Sequence, residues 1–127
     1  MHLTRRHFHL LAAVAAAGLA LPATASAQAK KFFRIGTGGT AGTYYPVGGL
    51  IANAISTTAI DASAVATNGS VANVNGIVGG SMESAFSQAD VAGWAYTGSG
   101  IYQGRTKVEE LRAIANLYPE TVHVVVK

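Results

Sequence analysis

Three times in succession the chain repeats one unit: a short apolar run, a stretch of glycine and small polar residues, then apolar residues at helical spacing. Lys31 to Gly36 (KFFRIG) reads as a first strand, and Thr43 to Thr57 carries Val47, Leu50, Ile51, Ala54 and Ile55 on one helix face. Ala62 to Thr67 reads as a second strand. Ser70 to Gly79 repeats the helical spacing at Val71, Val74, Ile77 and Val78, with Gly79-Gly80 as its stop. Glu83 to Gln88 reads as a third strand, followed by a helix from about Asp90. This alternation predicts an α/β fold, a mainly parallel sheet flanked by helices. Further on, Val108 to Leu111 reads as a turn or short helix, and Arg112 to Leu117 and Val122 to Val126 as two more strands. The β-branched run from Thr121 to Lys127 stops without turn, cap or polar tail, so the chain reads as the N-terminal portion of a longer protein.

Residues 1–27 read as an address rather than as fold. A basic start (MHLTRRHFHL) precedes an alanine-rich apolar run and the small-residue site Ala25-Ser26-Ala27, the three parts of an export signal, with Ala27-Gln28-Ala29 as a second possible cleavage site. The run from Leu10 to Leu21 falls well short of the ~20 residues that cross a membrane, and Pro22 bars its extension. Arg5-Arg6 fits either the twin-arginine route or the basic end of a Sec signal. Both place the mature chain, residues 28–127, in the periplasm. Two of the nine Lys and Arg leave with that leader, and the rest stand against six Asp and Glu. The nearly neutral remainder has no basic face for nucleic acid. Half of all residues are hydrophobic, too many for a disordered chain, and the lack of cysteine excludes a disulfide scaffold.

The chemistry gathers where predicted strands run into predicted helices. The first such stretch is Gly36-Thr37-Gly38-Gly39-Thr40-Ala41-Gly42-Thr43. Its glycines permit a tight turn and close approach of backbone to a ligand, and the following helix offers unpaired N–H groups to an anion. Thr40 and Thr43 can donate hydroxyls or cap the helix, as can Ser70 with Asn73 after the second strand. Gln88 and Asp90 stand at the third, where Asp90 serves equally as a helix cap. Ligands of open α/β sheets sit beyond the carboxyl ends of the strands. Neutral donors at three strand ends therefore suit a small carboxylate.

Gly36, Gly38 and Ala41 also satisfy the G-x-G-x-x-A pattern, which makes an exported NAD(P)-dependent oxidoreductase the alternative. That reading wants an acid at the end of the second strand. Asp61 precedes the strand instead, and its end reads Thr67-Asn68-Gly69. No Gly-Lys-Ser/Thr follows the glycines, no G-x-S-x-G turn occurs, and the acids show no metal-ligand spacing. The expectation is a binding protein with no catalytic residues, no metal and no cofactor.

Ile35 to Gly49 (IGTGGTAGTYYPVGG), Ala66 to Val74 (ATNGSVANV), Gln88-Ala89-Asp90 and Leu111 to Val126 (LRAIANLYPETVHVVV) resemble the TAXI family, the solute-binding receptors of TRAP transporters. The resemblance implies a type II periplasmic-binding-protein-like fold of two lobes, of which this chain would hold most of lobe one. It implies capture of a small organic anion, glutamate or dicarboxylate-like, and its delivery to TRAP membrane permease subunits for ion-gradient-driven uptake. Carried over by position, it points to Gly39, Thr40, Thr43, Tyr44, Tyr45, Ser70, Asn73, Gln88 and Asp90 as ligand-binding. Ala41 stands where the family commonly has glycine, a change that an ordinary backbone angle tolerates.

Overall fold

A computed structural model describes residues 29–121 and 124–127; the export signal read over 1–27 lies outside them. Strand β1, Lys31–Gly36, becomes progressively buried toward its carboxyl end. Its alternation sends Phe33 and Ile35 to one face and Arg34 and Gly36 to the other. Strand β2, Ile60–Val65, pairs with it in parallel from Lys31↔Ile60 to Gly36↔Val65. Strand β3, Ser84–Ala85, pairs in parallel on the opposite edge, Ile35↔Ser84 and Gly36↔Ala85. The order β2-β1-β3 leaves β1 in the middle and reverses direction there.

Helix α1, Tyr44–Ile55, connects β1 to β2 and buries Ala52 against Ile35 and Phe86, with Phe33, Val47, Ile51 and Ala62 around them. Helix α2, Ser70–Val78, lies on the other face, where Gly36 leaves room for Asn73. Its Val74 joins a second cluster with Val91 and Ala95 of helix α3, Ala89–Thr97, and with Tyr102 of the short 3-10 turn Gly100–Tyr102. The helix-on-both-faces arrangement is the α/β class expected from the alternation. The Gly79-Gly80 stop also holds: Gly79 N–H returns to the Asn75 carbonyl, and Gly80, at φ +69°, turns the chain out of the helix.

Three boundaries differ from the expectation. Strand β2 starts at Ile60 and ends at Val65, which puts Asp61 inside the strand, opposite Phe32. The Thr57 hydroxyl accepts the N–H groups of Ala59 and Ile60, a compact turn that starts the ladder early. Asp61 is still at the amino end, far from where a dinucleotide ribose needs an acid. Strand β3 keeps two of its six expected residues, because the Phe86 carbonyl is taken by the Asn73 side chain rather than by a further strand. Last, residues 112–121 and 124–127 form no strand. Val124, Val125 and Val126 are 81–93% exposed. A β-branched run becomes a strand only when a neighbour takes up its backbone groups, and no described strand pairs with this one. The expected strand at 122–126 falls partly outside the described residues, since Val122 and His123 are among those not described. Val108 to Leu111 is the expected turn, closed by Leu111 N–H on the Val108 carbonyl at 3.1 Å.

Arg34 of β1 grips Glu83, the residue just before β3. Nε and Nη2 reach the carboxylate at 3.2 and 2.8 Å while the Arg34 backbone N–H adds a third bond at 2.6 Å. These bonds hold the Glu83 carboxyl down to about 2. The pair fastens the entry of β3 to the central strand. It is structural.

Candidate functional site

The carboxyl ends of β1, β2 and β3 lie side by side, and the loops that leave them form one rim. Asn73 ties the rim together from beneath. It is fully buried, and its Nδ2 donates to the carbonyls of Thr37 (2.6 Å) and Phe86 (2.7 Å) while Oδ1 lies 2.7 Å from the Thr67 hydroxyl. One side chain thus joins the exits of all three strands. Both its amide donors are spent inside the protein, so its part in the site is to hold the loops in place. Thr37, also fully buried, adds a bond from its hydroxyl to the Val65 carbonyl at 2.6 Å. Neither role of Thr37 nor that of Thr67 is visible from sequence, because their partners lie 28 to 36 positions away or are set by the loop's shape.

The glycine loop above this tie has an unexpected backbone. None of its residues has positive φ, Ala41 included, so the substitution at that position carries no strain. The turn closes by Gly42 N–H on the Gly39 carbonyl at 2.9 Å. At Gly39 an added Cβ would meet nothing within 4 Å, which leaves the loop's outer face open. At Gly36 the glycine is demanded by packing: a Cβ there would strike Met82, Asn73 and Ala85. Thr40 and Thr43 are exposed along the same loop. Thr43, exposed, is the N-cap residue of α1 but makes no side-chain cap bond, which leaves the first N–H groups of the helix, Tyr44 and Tyr45, without a side-chain cap.

The second and third helix starts come to the same rim. Gly69, at φ +86°, precedes α2 in a conformation that glycine adopts without steric cost. Ser70 is the first residue of α2 rather than its cap, and its Oγ accepts the Gln88 N–H at 3.0 Å. Gln88 is the N-cap of α3 and makes no side-chain cap bond. Asp90 instead accepts the Val91 N–H at 2.7 Å within the first turn, where its charge complements the helix dipole. The Tyr44 ring packs against Phe86 with centroids 5.1 Å apart and a 31° tilt, and meets Tyr118 at 6.4 Å and 59°. Its hydroxyl donates to Glu120 at 3.0 Å. Ser70 thus ties the third exit to α2, and Tyr44 ties the start of α1 to Glu120. Tyr118 and Glu120 reach the rim from a segment where sequence reasoning placed no site residue; their separation from Tyr44, 76 positions for Glu120, left no local signal.

Burial, and then the bond to Glu120, push the Tyr44 hydroxyl from 10.0 up to about 12, against a smaller opposing pull from Ser70. A raised folded value means that the tyrosine contributes its full stability below pH 10 and loses it as pH climbs toward about 12. Carbon-13 NMR of the tyrosine Cζ should place this titration near 12. Glu120→Gln should lower it only part-way, because burial is the larger cause; a wild-type midpoint at 10.0 would contradict the packing described.

No group of three His, Cys, Asp or Glu is placed to hold a metal ion among the described residues. No helix there is long and apolar enough to cross a membrane. Against this geometry a family model, described as the NMT1-like family, matches residues 35–127, which takes in the whole rim. The chain belongs to the NMT1-like family. This is a periplasmic substrate-binding family related to the solute-binding proteins of TRAP and ABC transporters. It is a family of binding proteins, typically extracytoplasmic, whose members take a small-molecule ligand and work with a transporter.

Proposed function

We propose that the chain is the receptor of a TRAP transporter, of the TAXI type, that captures a small organic anion at the strand-end rim. The observation that carries this reading is the convergence at the strand ends of three helix starts, none capped by its N-cap side chain, with the exposed hydroxyls of Thr40 and Thr43. Such a set stabilises a carboxylate through oriented dipoles and hydrogen bonds. Gly39 leaves space for the guest, Tyr45, Gln88 and Asp90 border it, and Asn73 holds the loops. The motifs Ile35 to Gly49, Ala66 to Val74 and Leu111 to Val126 support the TAXI assignment, and glutamate or a dicarboxylate is the ligand class it brings. The basic, apolar and small-residue parts of residues 1–27 support export to the periplasm by the Sec or twin-arginine route.

In this reading residues 28–127 form most of one lobe, and a second lobe closes over the ligand. Two-lobe receptors draw their contacts from both sides of the cleft. The 127-residue chain should then bind glutamate weakly, and a longer version carrying the second lobe should bind it tightly. Calorimetry on both is the test, and equal affinity would refute the two-lobe account. The glycine pattern at Gly36, Gly38 and Ala41 keeps the NAD(P) alternative open to the same instrument: nicotinamide cofactor binding by the mature chain would favour it instead.

A further inference from the structure

Met82 is the one methionine in residues 28–127, and the chain has no cysteine, so its thioether is the most readily oxidised group that this portion carries. It stands two residues ahead of β3 and is half-buried, with part of its surface open to solvent. Its sulfur fills a hollow that two glycines leave between the sheet and α2. A Cβ at Gly36 of β1 would strike the sulfur, and one at Gly76 of α2 would come within 2.9 Å of the sulfur and 3.0 Å of the methyl. The Asn73 amide oxygen crowds the same point above Gly36, 2.8 Å from such a Cβ, so the sulfur and Asn73 share one hollow. The backbone is tied on both sides of Met82. Ser81 N–H donates to the Gly76 carbonyl at 2.9 Å, and Glu83 N–H donates to the Arg34 carbonyl at 3.1 Å. With its Cα held between α2 and β1, the side chain keeps its sulfur against both.

We propose that Met82 is a redox modification site, and that its oxidation to the sulfoxide loosens the joint on which the three strand exits hang. The oxidant is hydrogen peroxide: its O–O bond breaks, one oxygen bonds to the sulfur, which gives up two electrons, and the other leaves as water with both protons. The product is a polar group with a strong acceptor oxygen, in a space that fits bare sulfur. The donors around it are already engaged. Asn73 spends both amide protons on the Thr37 and Phe86 carbonyls, and the Ser81 hydroxyl donates to the Gly76 carbonyl at 3.1 Å. The new oxygen either meets the Asn73 amide oxygen, acceptor against acceptor, or turns to solvent and draws the side chain out of the hollow. Both outcomes strip packing from Gly36 and Asn73, the two residues at the centre of the tie. Methionine sulfoxide reductases return the thioether, so the change is reversible. The site stands on packing alone and is independent of what the rim binds.

Hydrogen peroxide on the full 127-residue chain is the test, with peptide mass mapping to tell Met82 from Met1 and amide hydrogen exchange to read the joint. Met82 should gain one oxygen. Exchange at Thr37, Asn73 and Phe86, whose N–H groups donate to the carbonyls of Val65, Gly69 and Gly36, should then quicken about tenfold or more. Methionine sulfoxide reductase with dithiothreitol should restore the original rates. Met82→Leu, a volume-conserving change without sulfur, should fold and show no quickening on peroxide treatment. The proposal is overturned if Met1 is oxidised and Met82 is not, or if Met82 gains its oxygen and those amides exchange as before. The same quickening in Met82→Leu would trace the effect to another side chain and overturn it too. Should Met82→Leu not fold, recovery under the reductase decides alone: rates that stay high would sink the assignment.

Discussion

Asn73→Asp should destabilise the fold by about 3–5 kcal/mol, as a urea titration followed by circular dichroism would read it. The replacement has the same shape but turns a donor into an acceptor. The Thr37 and Phe86 carbonyls would lose their hydrogen bonds and face a carboxylate oxygen in a position with no access to water. Set against the ~5–15 kcal/mol that holds a typical domain together, this is enough to leave much of the chain unfolded. Acid should soften the effect, since an introduced carboxyl that takes up a proton regains one donor. Thr67→Val is the gentler version. It removes one bond to the Asn73 cluster and the acceptor for Gly69 N–H, and should cost about 1–2 kcal/mol in a chain that still folds. An unchanged midpoint for both variants would mean that the three strand exits are held by something other than this side chain.

Adjacent glycines in α1 should respond to alanine with opposite signs. A Cβ at Gly48 would come within 2.5 Å of the Thr37 methyl and 3.3 Å of the Phe86 ring, whereas at Gly49 it would meet nothing within 4 Å. Alanine gains up to about 1 kcal/mol over glycine inside a helix. Gly49→Ala should therefore stabilise by about 0.5–1 kcal/mol. Gly48→Ala should lose about 1–2 kcal/mol net, because overpacking against a buried, hydrogen-bonded Thr37 exceeds the helical gain. Thr37→Ser removes the offending methyl and keeps the hydroxyl. In the Gly48→Ala background it should recover stability, with a coupling of about 1 kcal/mol or more in a double-mutant cycle. Additive effects would show that α1 does not approach the first loop as closely as the structure has it.

These sites mark the edge of what could be read along the chain. Strand β1, the three helices and the three strand-to-helix exits follow from apolar spacing and glycine placement, both of which act within a few residues. Thr43, Ser70, Gln88 and Asp90 could be picked out because each stands at a strand exit, whereas Tyr44 came only with the family resemblance. What each does there could not be read the same way. Ser70 was equally good as a helix cap, and became the acceptor of the Gln88 N–H only because α2 and the third exit are packed together. Thr43 has the chemistry of a cap and makes no cap bond. The expected strand over 112–117 failed for the reverse reason: propensity was present and a pairing partner was not.

By itself the sequence determined the α/β alternation and the location of the rim, because hydrophobic periodicity and turn chemistry are local properties of a chain. Only the tertiary structure decided which polar groups are spent inside and which stay exposed at the rim. Asn73 is used up by two carbonyls, and Glu120 arrives from 76 positions away to meet Tyr44. A hydrogen bond is satisfied by whatever folding brings within reach, and neighbours in space leave no mark on the order of residues.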